Sequence, residues 1–208
     1  MSSHLYIVRH GQTAFNASGT KTFTGWIDVD ISEVGVQQAT GIAQTLKDIR
    51  FDVAYTSRLK RARNTLEILL KPHTYGVPVI VDDRIIERSY GDLSGKLHSD
   101  VKEQHPDMYK IWHRSYDVPP PNGESVKIVE MRVYGFINEL LREAGDNKNI
   151  LISAHGNSIR CMRAYLERLT VEQEMSIEVP QDDYLHYSFQ GDPNGLFGGE
   201  WQKVHPVA

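Results

Sequence analysis

Leu5-Tyr6-Ile7-Val8-Arg9-His10-Gly11 near the start of the chain is echoed by Ile150-Leu151-Ile152-Ser153-Ala154-His155-Gly156 near its end. Each is an apolar run closed by His-Gly. Short runs of β-prone residues bounded by glycine read as buried strands, which puts each histidine just past a strand end. In open α/β sheets, ligands bind in the crevice outside the carboxyl ends of the strands. Two imidazoles brought to one crevice from opposite ends of the chain suggest a nucleophile and a helper.

Working outward, strand and helix signals alternate. Val53 to Thr56, Val77 to Val81, Tyr184 to Phe189 and Glu200 to Val204 read as further strands. Ser32 caps a helix carrying Val36, Ala39, Ile42, Ala43 and Leu46 at helical spacing, and Ser57 caps a second with Leu59, Ala62, Leu66 and Leu69. A third helix runs from about Asp100 to Arg114, with Pro106 near an end or a kink. A fourth spans Glu124 to Ala144 and turns Val126, Val129, Val133, Phe136, Ile137, Leu140 and Leu141 to the core. The fifth follows Gly156 with Ile159, Met162, Ala164, Tyr165 and Leu166. This alternation predicts an α/β three-layer sandwich, a mainly parallel central sheet covered by helices on both faces. The proline-rich stretch from Asp117 to Asn122 reads as an ordered connection near the site. No break in composition divides the chain, so residues 1–208 are expected to form one domain.

Composition bounds the function. The 208 residues are 40% hydrophobic and 24% charged, as expected of a soluble globular protein. No apolar run is long enough to span a membrane, and Met1-Ser2-Ser3-His4 lacks the character of a signal peptide, so a cytoplasmic protein without a membrane partner is expected. The formal net charge of −4 argues against a nucleic-acid partner. A lone cysteine, Cys161, excludes an internal disulfide and reads as a small buried hydrophobe on a helix. The nine histidines include no His-Glu-x-x-His spacing, so no metal is expected, and His4, His73, His105, His186 and His205 read as surface residues. Oligomeric state is open, with a homo-oligomer possible.

Arginines cluster beside the candidate motifs. Arg58, Lys60, Arg61 and Arg63 crowd one helix start, with Lys60 and Arg63 read as a solvated face, while Arg9, Arg88 and Arg114 each fall next to a motif. A cationic pocket in a mildly acidic protein suits a small anionic substrate. Arg9-His10-Gly11 sets a guanidinium fork and an imidazole on adjacent residues, followed by backbone that can approach an anion closely. Neutral imidazole is a competent nucleophile toward phosphorus, and a phosphohistidine splits one hard transfer into two easier ones.

The run from Val8 to Asn16, then Phe23-Thr24-Gly25-Trp26 through Ser32, resembles the opening of the cofactor-dependent phosphoglycerate mutases of the histidine phosphatase superfamily. The likeness continues through Tyr55 to Ala62, Glu87 to Gly95, and His155-Gly156-Asn157-Ser158-Ile159-Arg160, so it covers nearly the whole chain. The resemblance implies that His10 is the phosphorylated nucleophile, with Arg9, Arg61 and His155 around the transferred group and Asn16, Gly156 and Asn157 completing the cradle. It makes Glu87 the general acid and base. It assigns Thr24, Gly25, Arg88 and Tyr90 to the glycerate part of a small phosphorylated substrate, with Thr13 as a further donor to phosphate. Trp26 reads as core or loop packing, and Ser57 as a helix cap rather than a ligand.

Three departures bear on the activity. Where those mutases carry paired arginines after a tryptophan, this chain has Trp112-His113-Arg114; their next lysine aligns with His98, with Lys96 two residues earlier; and the long insertion before their Glu-Ser motif is replaced by Pro119-Pro120-Pro121-Asn122-Gly123-Glu124-Ser125. The last resembles the phosphatase branch. Retention of Phe23 to Trp26 and of Asn157 favours a 2,3-bisphosphoglycerate-primed mutase interconverting 3- and 2-phosphoglycerate. The alternatives are a metal-independent histidine acid phosphatase acting on small phosphomonoesters and a phosphate-ligand sensor that binds without transfer.

Overall fold

The apolar run of the first strand is buried on both faces. The computed structural model describes residues 3–17, 21–143, 147–190 and 200–205. Strands β1 (Ser3–Arg9), β2 (Val53–Thr56), β3 (Val79–Val81), β4 (Asn149–Ala154), β5 (Tyr184–Gln190) and β6 (Glu200–His205) form one sheet in the order β3-β2-β4-β1-β5-β6. The first four are mutually parallel, and β5 and β6 extend the sheet antiparallel beyond β1. Helices are α1 (Glu33–Leu46), α2 (Lys60–Leu70), α3 (His98–Gln104), α4 (Pro106–Arg114), α5 (Val126–Glu143), α6 (Gly156–Glu167) and α7 (Val171–Ser176).

Alternation along β1 explains the layering. Leu5 and Ile7 join Ile150, Ile152 and the inward faces of α5 and α6, including Val133, Phe136, Ile159 and Met162. Tyr6 and Val8 join Leu151, Ala54 and the faces of α1 and α2, including Ile42, Leu46, Leu66 and Leu69. A strand enclosed on both faces must be apolar throughout, which is why these runs carry no polar alternation until His-Gly. The three-layer expectation therefore holds, and Cys161 lies buried on α6. None of the helices among the described residues is long and apolar enough to cross a membrane.

Several expectations need correction. The third helix is two, because Pro106 takes the first position of α4 and ends α3 ahead of it. The strand expected from Val77 begins at Val79 and lies at the sheet edge with its side chains exposed. Ser57 does not cap α2, whose N-cap is Leu59 with no side-chain bond. His73 is buried against the ring of Phe51 instead of lying on the surface. Ala144, the expected end of the fourth helix, and residues 191–199 and 206–208 lie outside the described residues.

Register delivers the two histidines together. Val8 pairs with Ser153 and Arg9 with Ala154 across the parallel β1–β4 ladder, and the His10 amide donates to the Ala154 carbonyl at 2.9 Å. Gly11 and Gly35 let the chain leave the edge. A Cβ on Gly11 would stand 2.5 Å from the Gly35 carbonyl oxygen, and one on Gly35 2.3 Å from that of Gln12. Ser32 caps α1 as expected, accepting from the Gly35 amide.

Candidate active site

His10 lies at the base of a cleft of about 430 Å³. Its Nδ1 stands 2.8 Å from the Gly11 carbonyl, which can only accept, so Nδ1 carries the hydrogen and Nε2 keeps its lone pair. Burial, reinforced by Arg61 and Arg9, holds the imidazole well below its ordinary pKa of 6.5. A neutral ring with a free Nε2 is the nucleophilic form. Gln181 Nε2 donates to the His10 carbonyl at 3.0 Å and fixes the backbone from the other side.

His155 packs against it, ring centroids 5.2 Å apart, and is fully buried. Burial, then Arg61 and His10, push its pKa well below 6.5 as well. A hydrogen bond of 2.7 Å joins its Nε2 to Ser57 Oγ. Ser57 is thus the positioning partner of His155, a role that helix-cap spacing conceals.

Two guanidiniums flank the imidazoles. Arg61 donates from Nη1 to the Ile27 carbonyl at 2.9 Å and from Nη2 to that of Gly25 at 2.7 Å. Arg9 donates from Nη1 to the Val179 carbonyl at 2.6 Å. The Nε of each is buried with no partner among the described residues. Burial lowers both pKa values, with Glu87 acting in the opposite sense, and arginine stays charged through such shifts. Unpartnered buried donors on fixed cations fit an anion, since leaving them unmade is costly.

Glu87 supplies the carboxylate. Its Oε1 accepts from the Arg88 amide at 2.8 Å, the Asn157 amide at 3.2 Å and Asn157 Nδ2 at 3.0 Å. Its carbonyl is held by Trp26 Nε1 at 2.7 Å and Arg132 Nη2 at 3.0 Å. Of the two roles expected for Trp26, loop packing holds and core does not: it is half-exposed and its indole anchors the Glu87 backbone. Donor atoms of His10, Glu87 and His155 fall within 4.8 Å of one another, a spacing a metal could use, but the adjacent Arg9 and Arg61 oppose a cation there.

Arg9, His10, Thr13, Asn16, Thr24, Gly25, Arg61, Glu87, Tyr90, His98, His113, Arg114, Gly156 and Asn157 line this one cleft. His155 lies behind His10 rather than in the wall. Arg88 is the exception among the expected ligands. It is fully buried, and its Nε, Nη1 and Nη2 donate to the carbonyls of Glu124, His113 and Trp112 at 2.6, 3.2 and 3.0 Å. It ties the proline-rich turn to the end of α4, holding the wall from behind. Lys96 is exposed and outside the lining, which leaves His98 as the residue at that position of the cleft.

Away from His10 the cleft has a second set of cations. Lys21 and Arg114 act on His98, while Arg114 and Arg160 act on His113. Burial first, then these charges and, on His113, the neighbouring His98 and Arg88, pushes both histidines down to about 4. His98 stacks on Phe23 at 3.8 Å and bonds Tyr109 through Nδ1 at 3.1 Å. Burial raises the Tyr90 pKa, so its hydroxyl stays protonated. Sequence reasoning missed Lys21, Arg160, Glu178 and Gln181 as lining residues. Arg160 stood inside the His155 motif; the others sit in loops or after α7, where periodicity carries no signal.

Comparison with known proteins agrees with this geometry. A model of the histidine phosphatase superfamily (branch 1) matches residues 5–196. Proteins named 2,3-bisphosphoglycerate-dependent phosphoglycerate mutase from Allorhizobium ampelinum and Rhizobium etli are each 39% identical over 197 residues, covering 92% of both chains. Among solved structures, a protein titled mycobacterial hydrolase 1 superposes with a TM-score of 0.85 at 26% identity, covering 97% of each chain. A mycobacterial glucosyl-3-phosphoglycerate phosphatase gives 0.83 at 26% identity, covering 98% of this chain and 97% of that one. Sequence match and shared fold converge: the chain belongs to branch 1 of the histidine phosphatase superfamily, as an enzyme of phosphoglycerate mutase or phosphatase type.

Proposed function

We propose that the protein is a 2,3-bisphosphoglycerate-dependent phosphoglycerate mutase acting on 3- and 2-phosphoglycerate in the cytoplasm. The observation that carries this reading is the pair of buried, unpartnered guanidinium Nε atoms of Arg9 and Arg61 beside a neutral His10, in one cleft with a second cationic set at Lys21, Arg114 and Arg160. One set suits the transferred phosphoryl group. The other suits the remaining anionic end of the substrate. The close identity to proteins bearing the mutase name over 92% of their length supports the choice.

His10 Nε2 attacks phosphorus in line with the ester oxygen, so a P–N bond forms as the P–O bond breaks. Glu87, in its protonated form, gives a proton to the leaving oxygen, and the resulting carboxylate takes one from the hydroxyl that next attacks phospho-His10. Arg9 and Arg61 hold the equatorial oxygens, and His155, kept in place by Ser57, packs behind the His10 ring and holds it for attack. Bound 2,3-bisphosphoglycerate supplies the phosphoryl group that loads His10.

A second reading is a metal-independent phosphomonoesterase. His98 and His113 are neutral above about pH 4, Arg114 is bound to Glu178 at 2.9 Å, and the 119–125 turn is short; all three weaken the hold on a second phosphate. Incubation with 2,3-bisphosphoglycerate tests both. The mutase reading expects an acid-labile phosphohistidine, absent from His10→Ala, that discharges to 3-phosphoglycerate faster than to water. Discharge to water alone overturns it, and no adduct at all overturns both.

A further inference from the structure

At the end of β1 opposite the catalytic edge, two imidazoles face each other. His4 Nδ1 lies 3.0 Å from His186 Nε2, with ring centroids 5.1 Å apart. Both side chains are half-buried. His186 is held by stacking on Tyr6 at 4.3 Å with rings nearly parallel. The site is separate from the cleft: six steps of extended chain lead from His4 to His10, about 20 Å at roughly 3.3 Å per step.

We infer that this histidine pair is a binding site for a borderline divalent transition-metal ion, of which Zn²⁺ is the natural probe, clipping the antiparallel end of the sheet to β1. Tetrahedral zinc with Zn–N bonds of about 2.0–2.1 Å sets its nitrogens about 3.4 Å apart, so the two rings need to part by only a few tenths of an ångström. The proton now shared between them moves to the outer nitrogen of the donor ring, leaving both facing lone pairs for the metal. Water completes the shell. Softness selects the ion, because imidazole suits zinc, copper or nickel and not magnesium or calcium. The arginine-flanked His10 cluster is the poorer site despite its three donors, because two cations stand against it.

Calorimetric titration of the full chain with zinc chloride tests this. One zinc per chain is expected, with affinity falling at least about tenfold in both His4→Ala and His186→Gln and preserved in His10→Ala. Circular dichroism of each variant checks the fold, and His4, near the chain start, is the less disruptive replacement. Zinc should also raise the thermal midpoint of the unsubstituted chain but not of His4→Ala. Absence of binding, or binding kept in His4→Ala and His186→Gln and lost in His10→Ala, overturns the inference.

Discussion

Ser57 carries more of the site than its place in the sequence advertises. Its hydroxyl meets a fully buried imidazole 2.7 Å away, and removing it leaves His155 with an unmade bond in the interior. Ser57→Ala is expected to lower kcat about tenfold or more with KM little changed, since His155 loses its fixed orientation, while Ser57→Thr retains most activity. Stability should fall by about 1–3 kcal/mol, as for other buried polar groups left unpaired. Steady-state kinetics and urea unfolding measure both; an unchanged kcat would remove Ser57 from the mechanism. Buried neutral histidines also set the response to acid. His98 and His113 titrate at about 4 in the folded chain against an ordinary 6.5, and His10 and His155 are shifted the same way. Between pH 6.5 and 4 the unfolded chain binds protons that the folded chain refuses, so stability is complete above 6.5 and declines as pH falls through that window. Thermal midpoints at pH 7.5 and 5 check this, with His113→Asn expected to lose less than the unsubstituted chain. A midpoint independent of pH would contradict the burial argument.

Among the elements, the segment after α7 does most to shape the mouth of the cleft. Arg160 donates to the Ile177 carbonyl from Nε and Nη2 at 3.2 and 2.9 Å, Arg9 to that of Val179, and Gln181 reaches back to His10. Arg114 is bound to the Met175 carbonyl at the end of α7 and to the Glu178 carboxylate just beyond it. The Arg114–Glu178 pair is exposed and therefore weak, so substrate can draw Arg114 away at small cost. Glu178→Gln should lower KM for 3-phosphoglycerate about two- to fivefold with kcat nearly unchanged. A raised KM would mean that Glu178 holds Arg114 in its binding position. These tertiary ties explain what the sequence left unread. Uninterrupted apolar runs made β1 and β4 legible and period-3.6 patterns made α1, α5 and α6 so, because each must bury a defined surface. Periodicity could not show that Arg88 turns inward to three carbonyls or that β3 lies exposed at an edge; those outcomes depend on neighbours remote in the chain.

For the molecule as a whole, the duplicated His-Gly ending was the decisive signal, and parallel register explains why. Two apolar strands paired side by side must end at the same sheet edge, so His10 and His155 meet without any contact between them being encoded locally. The catalytic set was legible because strand ends and helix starts are marked by glycine, serine and charge. The second cationic set was less so, since Lys21, Arg114 and Arg160 come from a loop, the end of one helix and the body of another. On the proposed function, that second set holds the far end of the substrate during isomerisation. Phosphorus NMR of the protein with 3-phosphoglycerate and a trace of 2,3-bisphosphoglycerate tests the distinction in one tube. Growth of a 2-phosphoglycerate signal without orthophosphate is the expected result; orthophosphate accumulating with no isomer would contradict it and make the enzyme a phosphatase.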